Sequence, residues 1–64
     1  MKVYTVLRRY VASEILVIAC DDYQYALDIY HREIDKMDSG VYTMAIGVKL
    51  YEWEKGKPIL LQEI

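Results

Sequence analysis

Only one stretch of this 64-residue chain has helical periodicity, and strand-like stretches flank it on both sides. Tyr23, Ala26, Leu27, Tyr30, Ile34 and Met37 fall at 0, +3, +4, +7, +11 and +14, a stripe that a helix would bury against a core. Asp21-Asp22 precedes it as a helix start. With Asp21 as N-cap, Gln24 stands at the third helical position, a variant of the capping box, and both carboxylates favour the positive end of the helix dipole. Asp38-Ser39-Gly40 ends the helix, with Gly40 suited to the left-handed position that follows one. One helix can line only one face of a sheet, so the other face must meet solvent or a partner.

The flanking segments supply four strands. Lys2 to Tyr10 is rich in Val, Tyr and Thr and reads as the first. A short connection at Ala12-Ser13-Glu14 leads into ILVIAC, Ile15 to Cys20, an apolar run typical of a strand covered on at least one face. Val41 to Trp53 is the longest strand-like segment. Its row Tyr42, Met44, Ile46, Val48 and Leu50 is predicted core, and Thr43, Ala45, Gly47, Lys49, Tyr51 and Trp53 form the opposite row. Gly47 in mid-strand predicts a bulge or a close approach by another group. Glu54 to Lys57 reads as a hairpin turn, Pro58 fits the start of an edge strand, and Ile59 to Ile64 completes it. The expected fold is therefore a single α+β domain, residues 1–64, with element order β-β-α-β-β. A right-handed crossover gives a four-stranded antiparallel sheet in order 2-1-3-4, with the helix on one face.

Size bears on what such a domain can do. A chain this short buries only about 60% of the surface its unfolded form exposes. Small chains rich in large apolar groups often complete their core by self-pairing, so a homodimer is expected. The formal charge of −2 provides no basic footprint for nucleic acid and no polybasic membrane patch. A single cysteine excludes an intramolecular disulfide and a cysteine zinc cage, in keeping with a reducing compartment. MKVYTVLRRY lacks the apolar stretch of a signal peptide, and no run is long enough to span a bilayer. These observations predict a soluble, cytoplasmic protein.

The aromatic composition is unusual: seven tyrosines, one tryptophan and no phenylalanine. Tyr and Trp pair a large apolar body with a polar tip, which suits half-wet interfaces. Strand alternation places Tyr4, Val6, Arg8 and Tyr10 on the uncovered face, beside Thr43, Ala45, Tyr51 and Trp53. The parity of the first strand is open, because Val3, Thr5 and Leu7 make only a modest core row. The expected protein-binding residues are Tyr4, Arg8, Tyr10, Tyr51 and Trp53. The simpler alternative is that these rings shield a thin sheet.

Other candidates have plainer readings. Arg8 among tyrosines could stack and neutralise a single nucleic-acid strand, but Arg9 points to the opposite face and the chain is acidic. Asp21, Asp22, Asp28, Glu33, Asp35 and Asp38 could mimic phosphates, yet Arg32 and Lys36 interrupt them, as on a solvated helix face. Asp28 and Arg32 stand at the spacing of a helical ion pair. Cys20 reads as a buried structural cysteine, and His31 as an exposed histidine paired to Asp28 or Asp35. No pairing of groups specifies a reaction, and no metal or cofactor is expected; an enzyme is not predicted.

The segments MKVYTVL, ILVIAC running into DDYQYALDIY, and VKLYEW resemble those of a loose group of very small phage-encoded β-β-α-β proteins. The likeness covers most of the chain and departs at Lys57 to Ile64. It implies context rather than site residues: small phage proteins commonly bind and inhibit or redirect host enzymes, including defence systems. The expected function is a non-catalytic protein–protein interaction module, homodimeric, acting on a host protein. The alternatives are a single-stranded nucleic-acid binder using the tyrosine and arginine face, and a homodimer with a small-ligand pocket at its seam.

Overall fold

In a computed structural model that describes residues 1–64, the chain forms β1 (Lys2–Arg9), β2 (Glu14–Cys20), α1 (Tyr23–Asp38), β3 (Gly47–Glu54) and β4 (Lys57–Glu63). The strands make one antiparallel sheet in order β2-β1-β3-β4, and α1 lies across one face of it. The α+β architecture and the 2-1-3-4 order are those expected from the sequence.

Local chemistry explains the element ends. Asp22, not Asp21, caps α1: its backbone is extended, and its Oδ1 accepts from the amides of Gln24 at 3.0 Å and Tyr25 at 3.3 Å. Cys20 is still paired with Tyr4 in the sheet, so Asp21 is used in leaving it and the cap falls one residue later. After Asp38 the amides of Gly40 and Val41 donate to the carbonyls of Met37 and Lys36, the Schellman arrangement, with Gly40 at φ 84°. The β3–β4 hairpin turns on Lys55 and Gly56 at φ 53° and 77°, the pair of positive values a two-residue type I′ turn requires. Pro58 is the second residue of the edge strand β4.

Two expectations fail. Residues 41–46 are not part of β3, and of the predicted core row Tyr42, Met44 and Ile46 none is buried; Met44 is 71% exposed. The cause is the length of the partner. Arg9 ends β1 opposite Gly47, and after the bond from the Ile46 amide to the Arg9 carbonyl no strand remains to pair with. Alternation without a neighbouring ladder does not make a strand.

The second concerns the parity of β1. Val6 lies opposite Leu50, and Arg8 opposite Val48. Paired residues share a face, so the unambiguous core row of β3 carries Tyr4, Val6 and Arg8 beneath the helix and turns Val3, Thr5 and Leu7 outward. Tyr4, Val6, Ala26, Tyr30, Val48 and Leu50 form the buried core. Gly47 is where another group comes close, because a Cβ there would strike the backbone carbonyl of Ile64.

Each edge strand carries one bulge. Register shifts between Ile18 and Leu16, and between Gln62 and Leu60, leave Val17 and Leu61 as the extra residues, and both pack against the core. Each bulge reverses the parity beyond it. Leu16 consequently lies opposite Leu7, and Leu60 opposite Tyr51, on the face away from the helix.

Candidate protein interface

That second face has no helix over it. Its centre is Leu7 and Thr5 of β1 beside Tyr51 of β3, flanked by Leu16 and Ala19 on one side and Leu60 on the other. Val3, Trp53 and Pro58 form the next level along the strands. Leu16 is 55% and Leu60 44% exposed, so the two leucines re-aimed by the bulges are open to solvent, as are Ala19 and Pro58, around the half-buried Leu7, Tyr51 and Trp53. Trp53 donates its indole N–H to the Thr5 hydroxyl at 2.9 Å, and its ring stands 6.4 Å from that of Tyr51 at 49°. The indole is therefore held in one orientation before any partner arrives.

One end of the face is charged. Glu14 forms ion pairs with Lys49 at 3.4 Å and with Arg9 at 3.8 Å, so two cations share one carboxylate. The Lys49 ammonium is 5.9 Å from the Tyr51 ring centroid. Its hydrogen bond to Tyr51, with the charge of Glu14, raises its pKa above 10.5 in spite of partial desolvation. A shallow cleft of about 370 Å³ opens here at the β1–β2 connection, lined by Arg9, Tyr10, Ser13 and Lys49 among others.

Of the five residues expected to bind a partner, Tyr51 and Trp53 lie on the uncovered face, while Tyr4, Arg8 and Tyr10 do not share it. Tyr4 is buried with its ring 5.4 Å from that of Tyr23. Arg8 runs beneath α1, where its Nη1 donates to Glu33 Oε1 at 2.8 Å and its Nε donates to the Tyr10 hydroxyl at 2.9 Å. The guanidinium also sits 3.8 Å from the Tyr42 ring centroid. Desolvation works against its charge, but the hydrogen bonds to Tyr10 and Glu33 more than offset it and raise its pKa. A sheet platform of Arg8, Tyr4 and Tyr10 for stacked bases does not exist.

Glu33, expected on a solvated helix face, is 3% exposed. Besides Arg8 it accepts from the Tyr42 hydroxyl at 3.1 Å and approaches Lys36 at 3.7 Å, and this network ties the 41–46 loop to the helix and to the end of β1. The signal for it was present in the helical spacing: Glu33 follows Ala26 by seven and Tyr30 by three, placing it on the buried stripe. His31 is exposed and meets Tyr30 edge-on at 5.5 Å, without an ion pair to Asp28 or Asp35, and Asp28 does not pair with Arg32. Cys20 is half-buried, its thiol 3.4 Å from the Asp22 carbonyl.

No helix is long and apolar enough to cross a membrane. The fold and the uncovered face define a class: a small α+β protein whose sheet is covered by a helix on one side and presents apolar and aromatic side chains on the other. Comparison of the chain with protein-family models, curated proteins and solved structures finds no match.

Proposed function

We propose that this protein is a non-catalytic interaction module that works by covering a surface of another protein. The observation that carries this reading is the uncovered sheet face, where Leu7, Leu16, Tyr51, Trp53 and Leu60 form one apolar surface around an indole already held by Thr5. Rigid aromatics in such a setting concentrate binding energy because they lose little side-chain freedom on docking. Tyr51 and Trp53 are the anchors. Tyr4, Arg8 and Tyr10 support the fold instead. The resemblance to small phage-encoded proteins supplies the context in which the partner is a host enzyme or defence protein that the module inhibits or modulates, in the cytoplasm. A copy of the chain itself is the other partner to consider.

A photo-crosslinking amino acid at Leu60, introduced into the full chain in bacterial cells, tests this reading. Covalent adducts to protein, lost when Trp53 is replaced by Ala, are expected. Adducts to nucleic acid alone, or none from either Leu60 or Leu16, would refute it.

A further inference from the structure

We infer that the occupant of the uncovered face is a second copy of this chain, stacked face to face and antiparallel, so that two sheets form the inside of a four-layer particle with both helices outside. The inference rests on the interaction-module reading and takes the second of its two partners, a copy of the chain, as the occupant of this face in place of a host protein.

Three observations select this occupant. The first is the deficit of the single chain. Only six hydrophobic residues are buried, all on the helix side of the sheet, so the isolated molecule has half of a two-sided core. Closing the other side with an identical half is the simplest completion, since each copy supplies what the other lacks. The second is area. A stable interface takes about 800 Å² from each partner, roughly a fifth of the 4263 Å² this chain exposes. The protein is a slab of 35 × 24 × 15 Å, and its broad face alone offers a patch of that size. No edge or loop does.

The third is the placement of charge, which also selects the rotation. Arg9 and Lys49 of the two central strands, with Glu14 and Glu63 on the edge strands outside them, stand at one end of the face, and Trp53 stands at the other. A two-fold axis along the strands would set each charged end on its own copy, cations over cations and carboxylates over carboxylates. An axis across the strands sets each charged end over the partner's aromatic end, where the faces of Trp53 and Tyr51 can receive the Lys49 ammonium or the Arg9 guanidinium. The second arrangement does not oppose these groups to their own copies. It also brings Leu16 and Leu60, the residues each bulge turns outward, into the seam.

The test is solution mass by light scattering over a concentration series, with far-UV circular dichroism to report folding. The variants are Leu60→Lys and Leu16→Lys on the face, and Ile15→Lys on the edge strand pointing toward the helix side. All three residues are already more than 40% exposed, so the substitutions leave the monomer folded. Wild type is expected at twice the chain mass of 7.6 kDa. Each face variant should weaken association by about 30-fold or more, and Ile15→Lys should leave it within a few-fold. Trp53 emission should move to the blue as wild type concentrates, and should stay fixed in the face variants. A wild type that is monomeric throughout overturns the inference. So does a dimer that survives both face variants and is lost with Ile15→Lys, which would be paired edge to edge. If wild type is monomeric yet a crosslinker at Leu60 captures a different protein, the second copy is refuted and the interaction-module reading stands. If no protein is captured either, both fall.

Discussion

Removing the charge of Glu33 should cost this protein a large part of its stability. The carboxylate is 3% exposed and holds the Arg8 guanidinium at 2.8 Å, whose own side chain is only 17% exposed. Breaking a buried ion pair from one side costs about 3–5 kcal/mol, because the surviving charge is left desolvated and without its counter-ion. Arg8 keeps the Tyr10 hydroxyl and the Tyr42 ring, which places Glu33→Gln near the lower end, at about 3 kcal/mol. A domain of this length has about 3–10 kcal/mol in all. With a urea slope of about 1 kcal/mol/M, the midpoint should fall by about 3 M, followed by Trp53 fluorescence and far-UV circular dichroism at fixed protein concentration. The double replacement Arg8→Met with Glu33→Met removes both charges and should recover most of that loss, to within about 1 kcal/mol of wild type. The reasoning fails if Glu33→Gln shifts the midpoint by less than about 1 M, or if the double variant is no more stable than the single one.

Other outcomes follow from single features. Asp22→Ala should destabilise by about 1 kcal/mol through loss of the cap, and Asp21→Ala by much less, as read from urea midpoints. Gly47→Ala should displace Ile64, whose amide donates to the Val48 carbonyl, and cost about 1 kcal/mol together with faster amide exchange at Ile64. Gly40→Ala at φ 84° should cost about 1–2 kcal/mol, since the left-handed conformation is strained for a residue with a Cβ. Burial raises the pKa of Tyr30, and burial with the charge of Glu52 raises that of Tyr4, above the ordinary 10.0. The fold holds both phenols neutral where the unfolded chain would ionise them. The stability they contribute is complete below pH 10.0 and is lost as pH rises from there through their folded values, as is that of Lys49 above its ordinary 10.5. Alkaline titration by absorbance should show Tyr4 and Tyr30 ionising above pH 10.0, and stability falling over that same range.

Much of this fold is written in local signals. The helix stripe from Tyr23 to Met37, Gly40 after the helix, the Lys55-Gly56 turn and Pro58 at the edge are each decided by residues within a few positions of one another, and the structure has them, with the acidic cap one residue later than expected, at Asp22. The core row Val48 and Leu50, with Tyr51 and Trp53 turned the other way, is likewise plain alternation in a strand that has partners on both sides. The strand order follows from the handedness of one crossover.

What local pattern could not supply is whatever depends on a distant neighbour. The row of β1 that goes inward is set by its register with β3, and Arg8 is tolerated there because Glu33, 25 residues away, meets it. The segment from Val41 to Ile46 alternates like a strand but stays a loop because β1 ends at Arg9. The uncovered face owes Leu16 and Leu60 to bulges on two strands that never touch each other, and a one-residue shift of register leaves no mark in composition or spacing. Residue type settled which elements form, since propensity and capping act over one or two turns of chain. Pairing across the sheet settled which side chains share a surface, since a period of two makes each face depend on a single residue of register.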